Sequence, residues 1–284
     1  MLGIAGTVPM EEIPLLTGRL AMVGGDILIE GRGIPVNRGT SALIGAAVKT
    51  SEVLGTPQPF GYIVGDIGRG VGSRHLYRHL VDTFAKSTFN TFAFHYLQPI
   101  VHWHNRLQQV IADMEKRPIL IADAGFMYVA KMSGHASMYD LFTPDIGELA
   151  FLADEMAPHP FYTRGFILHE ENRVQDLISR AYAHNNAARH LLVKGEKDRL
   201  ADRGGILCEV DGPVEETMEA IGGTGDTLTG IVSALVCSGM DIKEAAIIAM
   251  RTNRLAGSYS MPTPATQIID IIRHIPRALE DTLP

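Results

Sequence analysis

Short apolar runs alternate with amphipathic stretches along most of this 284-residue chain, and no other feature limits its folds so strongly. Residues 60–64 (FGYIV) read as a strand, and after a glycine-rich turn Leu76, Leu80, Val81 and Phe84 fall on one helical face. Residues 89–97 repeat the strand; Leu107, Val110, Ile111 and Met114 repeat the helix at i, i+3, i+4, i+7. Ile119–Ala122 is short and continuously apolar, as a strand covered on both faces should be. Residues 141–143 are a weaker strand ended by Pro144, and Val174, Leu177, Ile178 and Ala181 mark another helix. Residues 191–193 form a buried strand running into Lys194, and residues 206–210 one arm of an antiparallel hairpin that turns at Arg203 and Gly204. Between Thr224 and Ser260 two helices follow one another without a strand.

Strand-then-helix units of roughly 25 to 35 residues predict an α/β fold with a mainly parallel central sheet covered by helices on both faces. An eight-fold barrel is the alternative, and the paired helices at the end weigh against it. No internal repeat or Ser/Gly/Pro-rich linker divides the chain, so a single domain over residues 1–284 is expected, with residues 1–20 and 262–284 peripheral. Apolar residues make up 46% of the chain and charged ones 20%, which excludes disordered and fibrous classes. A net charge of −7 argues against long nucleic acid or an anionic membrane as partner. Cys208 and Cys237 lie outside any Cys-x-x-Cys pair, so neither a zinc framework nor a disulfide scaffold is expected, and a reducing cytoplasm is the expected location. Glu11, Glu12 and Pro14 stand where a signal peptide needs an apolar core, and no apolar run reaches the roughly 18 residues of a membrane span.

Gly222, Gly223, Thr224, Gly225 and Asp226 precede a helix whose apolar face is Leu228, Ile231, Val232, Leu235 and Val236. Glycines just before a helix let successive N–H groups converge, and the positive end of the helix dipole adds to them. Gly223, Thr224 and Gly225 therefore form a candidate anion hole for a phosphate or a developing oxyanion. Asp226 in that place is either a helix cap or the base that removes a proton from a hydroxyl about to attack a phosphoryl group. Gly239 is expected to end this helix and Asp241 with Glu244 to form a capping box for the next.

The run GGTGDTLTG resembles the Gly-x-Gly-Asp signature of the ribokinase-like superfamily, and more narrowly that of the ATP- or ADP-dependent NAD(P)H-hydrate dehydratases. Other segments resemble that family in the same order. Residues 65–69 (GDIGR) are similar to its Gly-Pro-Gly-Leu-Gly turn, residues 121–124 (IADA) to its strand ending in Asp-Ala, residues 143–148 (TPDIGE) to its Thr-Pro-His-x-x-Glu segment, and residues 192–195 (LVKG) to its strand ending in Lys-Gly. The resemblance spans residues 20–260 and is strongest from residue 119 onward. It implies a ribokinase-like fold and Asp226 as catalytic base. It further implies nucleotide at Lys194, Gly195 and Gly225, and substrate at Gly65, Gly68, Asp145 and Asp226.

The implied activity is phosphorylation of the hydroxyl of hydrated NADH or NADPH by ATP or ADP, followed by elimination of phosphate. Two departures fall on the side that holds the hydrated nicotinamide in that family: Asp145 replaces its His, and residues 65–69 form a shorter turn that carries Asp66. Asp145 and Glu148 also resemble the Asn-x-x-Glu segment of sugar kinases, which helps to place the magnesium of the nucleotide. On the first turn of a helix begun by Pro144 the two acids suit Mg²⁺ held through waters, or simply complement the helix dipole. A small-molecule kinase for a sugar or vitamin precursor is the alternative activity, and a non-catalytic nucleotide sensor a third. Small-molecule substrate and nucleotide are the expected partners, in a homo-oligomer.

Lys194 ends a buried strand, where open α/β sheets place their ligands, and Gly195 lets backbone come close to one. Asp123 ends another strand at the same edge, with an Asx turn as its alternative. His95, His102 and His104 do not share one helical face and read as ordinary histidines rather than a metal site. His75 and His79 belong to a solvated face. His169, Glu170 and Glu171 do not complete a His-Glu-x-x-His motif, and residues 45–50 (GAAVKT) lack the glycine and spacing of a P-loop.

Overall fold

The computed structural model describes residues 1–163 and 173–284, which leaves His169, Glu170 and Glu171 outside the described residues. In chain order the strands are β1 (Leu2–Val8), β2 (Leu16–Arg19), β3 (Ala21–Val23), β4 (Asp26–Ile29), β5 (Arg32–Pro35), β6 (Phe60–Gly65), β7 (Thr91–His95), β8 (Ile119–Ala122), β9 (Leu141–Phe142), β10 (His190–Val193), β11 (Asp198–Asp202) and β12 (Gly205–Val210). The helices are α1 (Thr40–Leu54), α2 (Val71–Thr83), α3 (Val101–Ala112), α4 (Gly125–Met132), α5 (Ile146–Ala153), α6 (Val174–Ala183), α7 (Thr224–Cys237), α8 (Ile242–Tyr259), α9 (Ile268–Ile272) and α10 (Ile275–Glu280).

Nine strands build the central sheet in the order β12-β11-β10-β9-β8-β7-β1-β6-β2, while β3, β4 and β5 form a small antiparallel sheet. The neighbours from β10 to β6 are all parallel, and β11, β12 and β2 add antiparallel edges. The sheet is open, so the barrel alternative falls and the mainly parallel α/β reading holds. Side chains alternate across it: Ile4, Ala93, Ile121 and Leu192 face the layer of α1, α7, α8, α9 and α10. Ala5, Phe92, Phe94, Leu120, Ala122, Leu191 and Val193 face the layer of α2 to α6.

Both expectations of peripheral ends need correction. All seven residues of β1 are buried, and the strand pairs with β6 on one side and β7 on the other, at the heart of the sheet. Its glycines, which mask the strand signal, are a packing requirement: a Cβ on Gly3 would run into the Phe92 ring, and one on Gly6 would lie 2.6 Å from Thr40 Cγ2 and 2.7 Å from the His95 carbonyl oxygen. At the other end, Ile268, Ile271, Ile272, Ile275, Ala278 and Leu279 are buried in the same core cluster as α1 and α8. Burying each such Leu or Ile contributes about 1.5–3 kcal/mol, so residues 262–284 are structural rather than appended.

The crossovers create the crevice where ligands can bind. From β1 the chain leaves through α1 on one face; from the adjacent β7 it leaves through α3 on the other. Neighbouring parallel strands whose outgoing helices part in this way open a gap at their C-terminal ends.

Candidate active site

His95 ends β7 at this switch point, Asp123 follows β8, Lys194 follows β10, and α7 brings Asp226 in from above. The glycine-rich turn does what its composition predicts. Gly223 is the N-cap of α7 with φ +107° and no side-chain cap, and α7 runs without interruption to Cys237. Its first backbone N–H groups thus have no partner within the helix. Gly239 follows at φ +101°, its N–H bonded to the Val236 carbonyl, and Asp241 caps α8 through the Lys243 N–H; the reciprocal Glu244 bond of the expected capping box is not among the described contacts.

Asp226 does not cap its own helix. Its Oδ2 accepts the Gly39 N–H at 2.7 Å, at the N-terminus of α1, and its Oδ1 accepts from His95 Nε2 at 3.0 Å. Facing an ionised carboxylate, Nε2 carries the hydrogen; the other imidazole nitrogen, Nδ1, lies 3.0 Å from Thr40 Oγ1, which supplies its partner. His95 and Thr40 are buried, while Asp226 keeps 14% of its side chain exposed toward the crevice. Burial works against the Asp226 charge, but the His95 hydrogen bond, the imidazole and Lys194 charges and the Gly39 N–H outweigh it and hold the carboxyl below its ordinary range.

Asp123 is built differently. Lys194 Nζ donates to its Oδ1 at 2.8 Å and Oδ2 at 3.1 Å, Thr229 Oγ1 to Oδ2 at 2.6 Å, and the Ala124 N–H to Oδ1 at 2.8 Å. A carboxylate so fully engaged and 1% exposed is an anchor for the lysine, with the Asx contact as one part of it. Burial disfavours the Lys194 charge, yet Asp123, Glu148 and Asp226 together raise its pKa, so it stays an ammonium. Its stem crosses the first turn of α7: a Cβ on Gly225 would lie 3.1 Å from Lys194 Cδ. The turn beyond it is clamped by buried Arg254 of α8, which donates to Asp198 Oδ2 at 2.8 Å and to the Gly195 and Glu196 carbonyls at 3.1 and 2.8 Å.

Asp145 and Glu148 open α5 as a capping box, Asp145 Oδ1 accepting the Glu148 N–H and Glu148 Oε2 the Asp145 N–H. Burial, with the Asp123 and Asp145 charges and against Lys194, raises the Glu148 pKa. The dipole-complement alternative thus describes their local bonding.

Gly65 and Gly68 lie apart from this cluster. Gly65 ends β6 and Gly68 follows it, and β1 separates that strand from β7. Asp66 occupies the turn with its own carboxylate, accepting the Gly68, Gly70 and Ser73 N–H groups. The histidine trio also separates: His104 packs on Tyr139 and Ser133 beneath α3, whereas His95 touches Asp226 and stands 3.8 Å from Asp123. His95, Asp123 and Asp226 present ligand atoms within 4.8 Å of one another, but Lys194 already supplies the positive charge there. Sequence reasoning missed His95, Thr40, Gly39 and Tyr96; the rule that pointed to Lys194 and Asp123, that parallel strands end at the ligand, applies equally to the end of β7. Arg38 was also missed. Its stem passes Gly222, where a Cβ would lie 3.4 Å from its Cδ, and its guanidinium has no ion pair among the described residues.

A family model for NAD(P)H-hydrate dehydratase matches residues 101–277. An uncharacterized protein of Methanocaldococcus jannaschii is 40% identical over 242 residues, which is 85% of this chain and all of that one. The bifunctional NAD(P)H-hydrate repair enzyme of Pyrobaculum aerophilum is 26% identical over 276 residues; the match takes in 92% of this chain but half of that protein. Among solved structures, an ADP/ATP-dependent NAD(P)H-hydrate dehydratase from Bacillus subtilis, co-crystallized with ATP and Mg²⁺, superposes with a TM-score of 0.56 at 14% identity, covering 99% of this chain and 90% of that one. At that identity the likeness concerns the fold.

Proposed function

The chain belongs to the NAD(P)H-hydrate dehydratase family, and on that footing we propose that it restores hydrated NADH or NADPH by nucleotide-driven dehydration. The observation that carries this reading is Asp226, a carboxylate kept ionised by His95 and Gly39 beside the free N–H groups of α7. A base is needed there only if a hydroxyl must lose its proton.

In the first step the substrate O–H bond breaks, its proton passes to Asp226, and the oxygen attacks the terminal phosphoryl group of ATP or ADP while the bond to the leaving nucleotide breaks. The amides of residues 223–226 meet the charge that develops on phosphate, and Lys194 lies across the same turn. In the second step the ring nitrogen pushes out phosphate, the C–O bond breaks, and loss of a proton from the neighbouring ring carbon leaves the double bond of the dihydronicotinamide.

Asp145 and Glu148 fit a role in holding Mg²⁺ through waters, because the two acids sit together at the start of α5 and Glu148 feels the Asp123 charge, so a cation there would relieve like-charge repulsion. When bound, the ion would neutralise phosphate oxygens. Arg38 is a further cation beside the turn. The two cysteines are free, in keeping with a cytoplasmic setting, and no helix among the described residues is long and apolar enough to cross a membrane.

Asp145 also favours a second reading. It stands where the dehydratases carry His, and with Glu148 it is similar to the Asn-x-x-Glu of sugar kinases, so phosphorylation of another hydroxyl compound is the rival. One assay separates them: the protein with ATP or ADP and hydrated NADH or NADPH, against a panel of sugars and hydroxymethylpyrimidines, following both released and transferred phosphate. Dehydration yields NADH or NADPH and free phosphate. A stable phosphate ester on one of the panel compounds, with no action on the hydrates, would replace the dehydratase reading by the kinase one.

A further inference from the structure

Tyr96, immediately after β7, holds a backbone conformation that aromatic residues rarely take. Its φ is +51°, in the left-handed region, where a side chain such as this one is strained. Three elements keep it there. Thr7 of β1 donates its hydroxyl to the Tyr96 carbonyl at 2.7 Å, the ring stands perpendicular to the His95 imidazole with centroids 4.4 Å apart, and its edge lies against Gly39, where a Cβ would be 3.5 Å from Cε2. Yet the ring fills no core: 50% of the residue is exposed.

The hydroxyl has no hydrogen-bond partner among the described residues. Partial burial first, then the Asp226, Asp123 and Glu148 charges, push its pKa up to about 12, against Lys194. A half-bare ring thus packs on the same His95 imidazole whose Nε2 lies 3.0 Å from Asp226 Oδ1, and its neutral hydroxyl is a donor in that neighbourhood. Strain maintained for a side chain that contributes little to packing points to a role toward a ligand.

We propose that Tyr96 is the residue that recognises the reacting ring of the substrate: its exposed face is the wall for the planar, amide-bearing part of the hydrated nicotinamide, and its hydroxyl donates to the oxygen that takes the phosphoryl group. This rests on the dehydratase reading of Asp226 and deepens it by naming what holds the ring. A planar conjugated amide suits an aromatic wall, and Tyr96 and Asp226 flank the same imidazole, which places the tyrosine beside a hydroxyl presented to that carboxylate.

The test compares wild type, Tyr96→Phe and Tyr96→Gly in melting temperature, ATP·Mg²⁺ dissociation constant, and kcat and KM on hydrated NADH. Glycine accepts a positive φ, so Tyr96→Gly should melt at or above the wild-type temperature and bind nucleotide normally. Its KM for hydrated NADH should rise and its kcat/KM fall by tenfold or more. Tyr96→Phe keeps the wall and should retain a near-normal KM while losing several-fold in kcat. Wild-type kcat/KM in Tyr96→Gly, or a loss of activity that tracks a lowered melting temperature, would overturn the assignment. A wild-type protein that binds nucleotide but leaves both hydrates untouched is a distinct result, removing the substrate named here together with the dehydratase reading.

Discussion

Replacing Asp226 by Asn changes one atom at the centre of the site, and the contacts around it say what should follow. The amide oxygen can keep the Gly39 N–H, bound now at 2.7 Å. The amide N–H₂ then faces His95 Nε2, which is bound now at 3.0 Å as a donor. His95 can accept that bond by moving its hydrogen to Nδ1 and donating it to Thr40 Oγ1, 3.0 Å away. Every partner stays satisfied, and the loss is that of charge-assisted bonds becoming neutral, about 1 kcal/mol or roughly 2–4 °C in melting temperature. The catalytic loss is of another order: without a proton acceptor, turnover should fall about a hundredfold to ten-thousandfold. Nucleotide affinity should be unchanged or higher, since a negative charge has left a phosphate site. Differential scanning fluorimetry, calorimetry with ATP·Mg²⁺ and turnover on hydrated NADH measure the three effects on one protein. Turnover within a few-fold of wild type would show that Asp226 merely ties α1 to α7, and the nucleotide-sensor reading would take precedence.

Gly225→Val puts methyl groups where a Cβ already meets Lys194 Cδ at 3.1 Å, in the path of a phosphate; nucleotide affinity measured by calorimetry should drop by tenfold or more, and an unchanged value would move the phosphate elsewhere. Asp226 titrates below the usual carboxylate range, so its stabilising contribution is complete above the unfolded-state pKa and is lost only as pH falls through the lower folded value. His95→Gln keeps a donor but removes the imidazole, and should shift the acid limb of the kcat/KM profile upward by roughly one pH unit; an unshifted limb would exclude His95 as the partner that keeps Asp226 ionised. Lys194→Met leaves the Asp123 carboxylate buried without its ammonium and should cost about 3–5 kcal/mol in denaturant unfolding, largely recovered by adding Asp123→Asn; purely additive losses would refute the pairing.

What the sequence disclosed and what it hid have physical causes. β8 and β10 announce themselves because strands buried on both faces are uninterrupted apolar runs, and α7 because glycines stop where its apolar face begins. β1 escaped notice because Gly3 and Gly6 make room for the Phe92 ring and for Thr40, and the same glycines weaken a propensity-based strand signal. Within the site, Asp226, Lys194 and Asp123 could be read from position at the end of a strand or start of a helix. His95 could not be read as their partner, since its bond to Asp226 spans 131 residues and its sequence neighbours His102 and His104 suggest a different grouping. Gly65 and Gly68 fit a family turn in composition, but Asp66 satisfies that turn from within.

The bond between Asp226 and the Gly39 N–H, 187 residues apart in the chain, sets the order in which the site can be assembled during synthesis. β1 is made first, yet its neighbours follow only with residues 60–65 and 91–95, and α7 is made last of the catalytic parts. A nascent chain halted before Thr224 holds Gly39, His95 and Lys194 but lacks both the Asp226 carboxylate and α7 to α10, which with α1 cover one face of the sheet, so the site closes only once that layer is made. For the same reason a fragment trimmed to residues 101–277 would lose β7, β1, β6 and β2, four adjacent strands of the nine in the central sheet. The stretch that identifies the family is thus no independent folding unit, and its chemistry depends on residues that precede it.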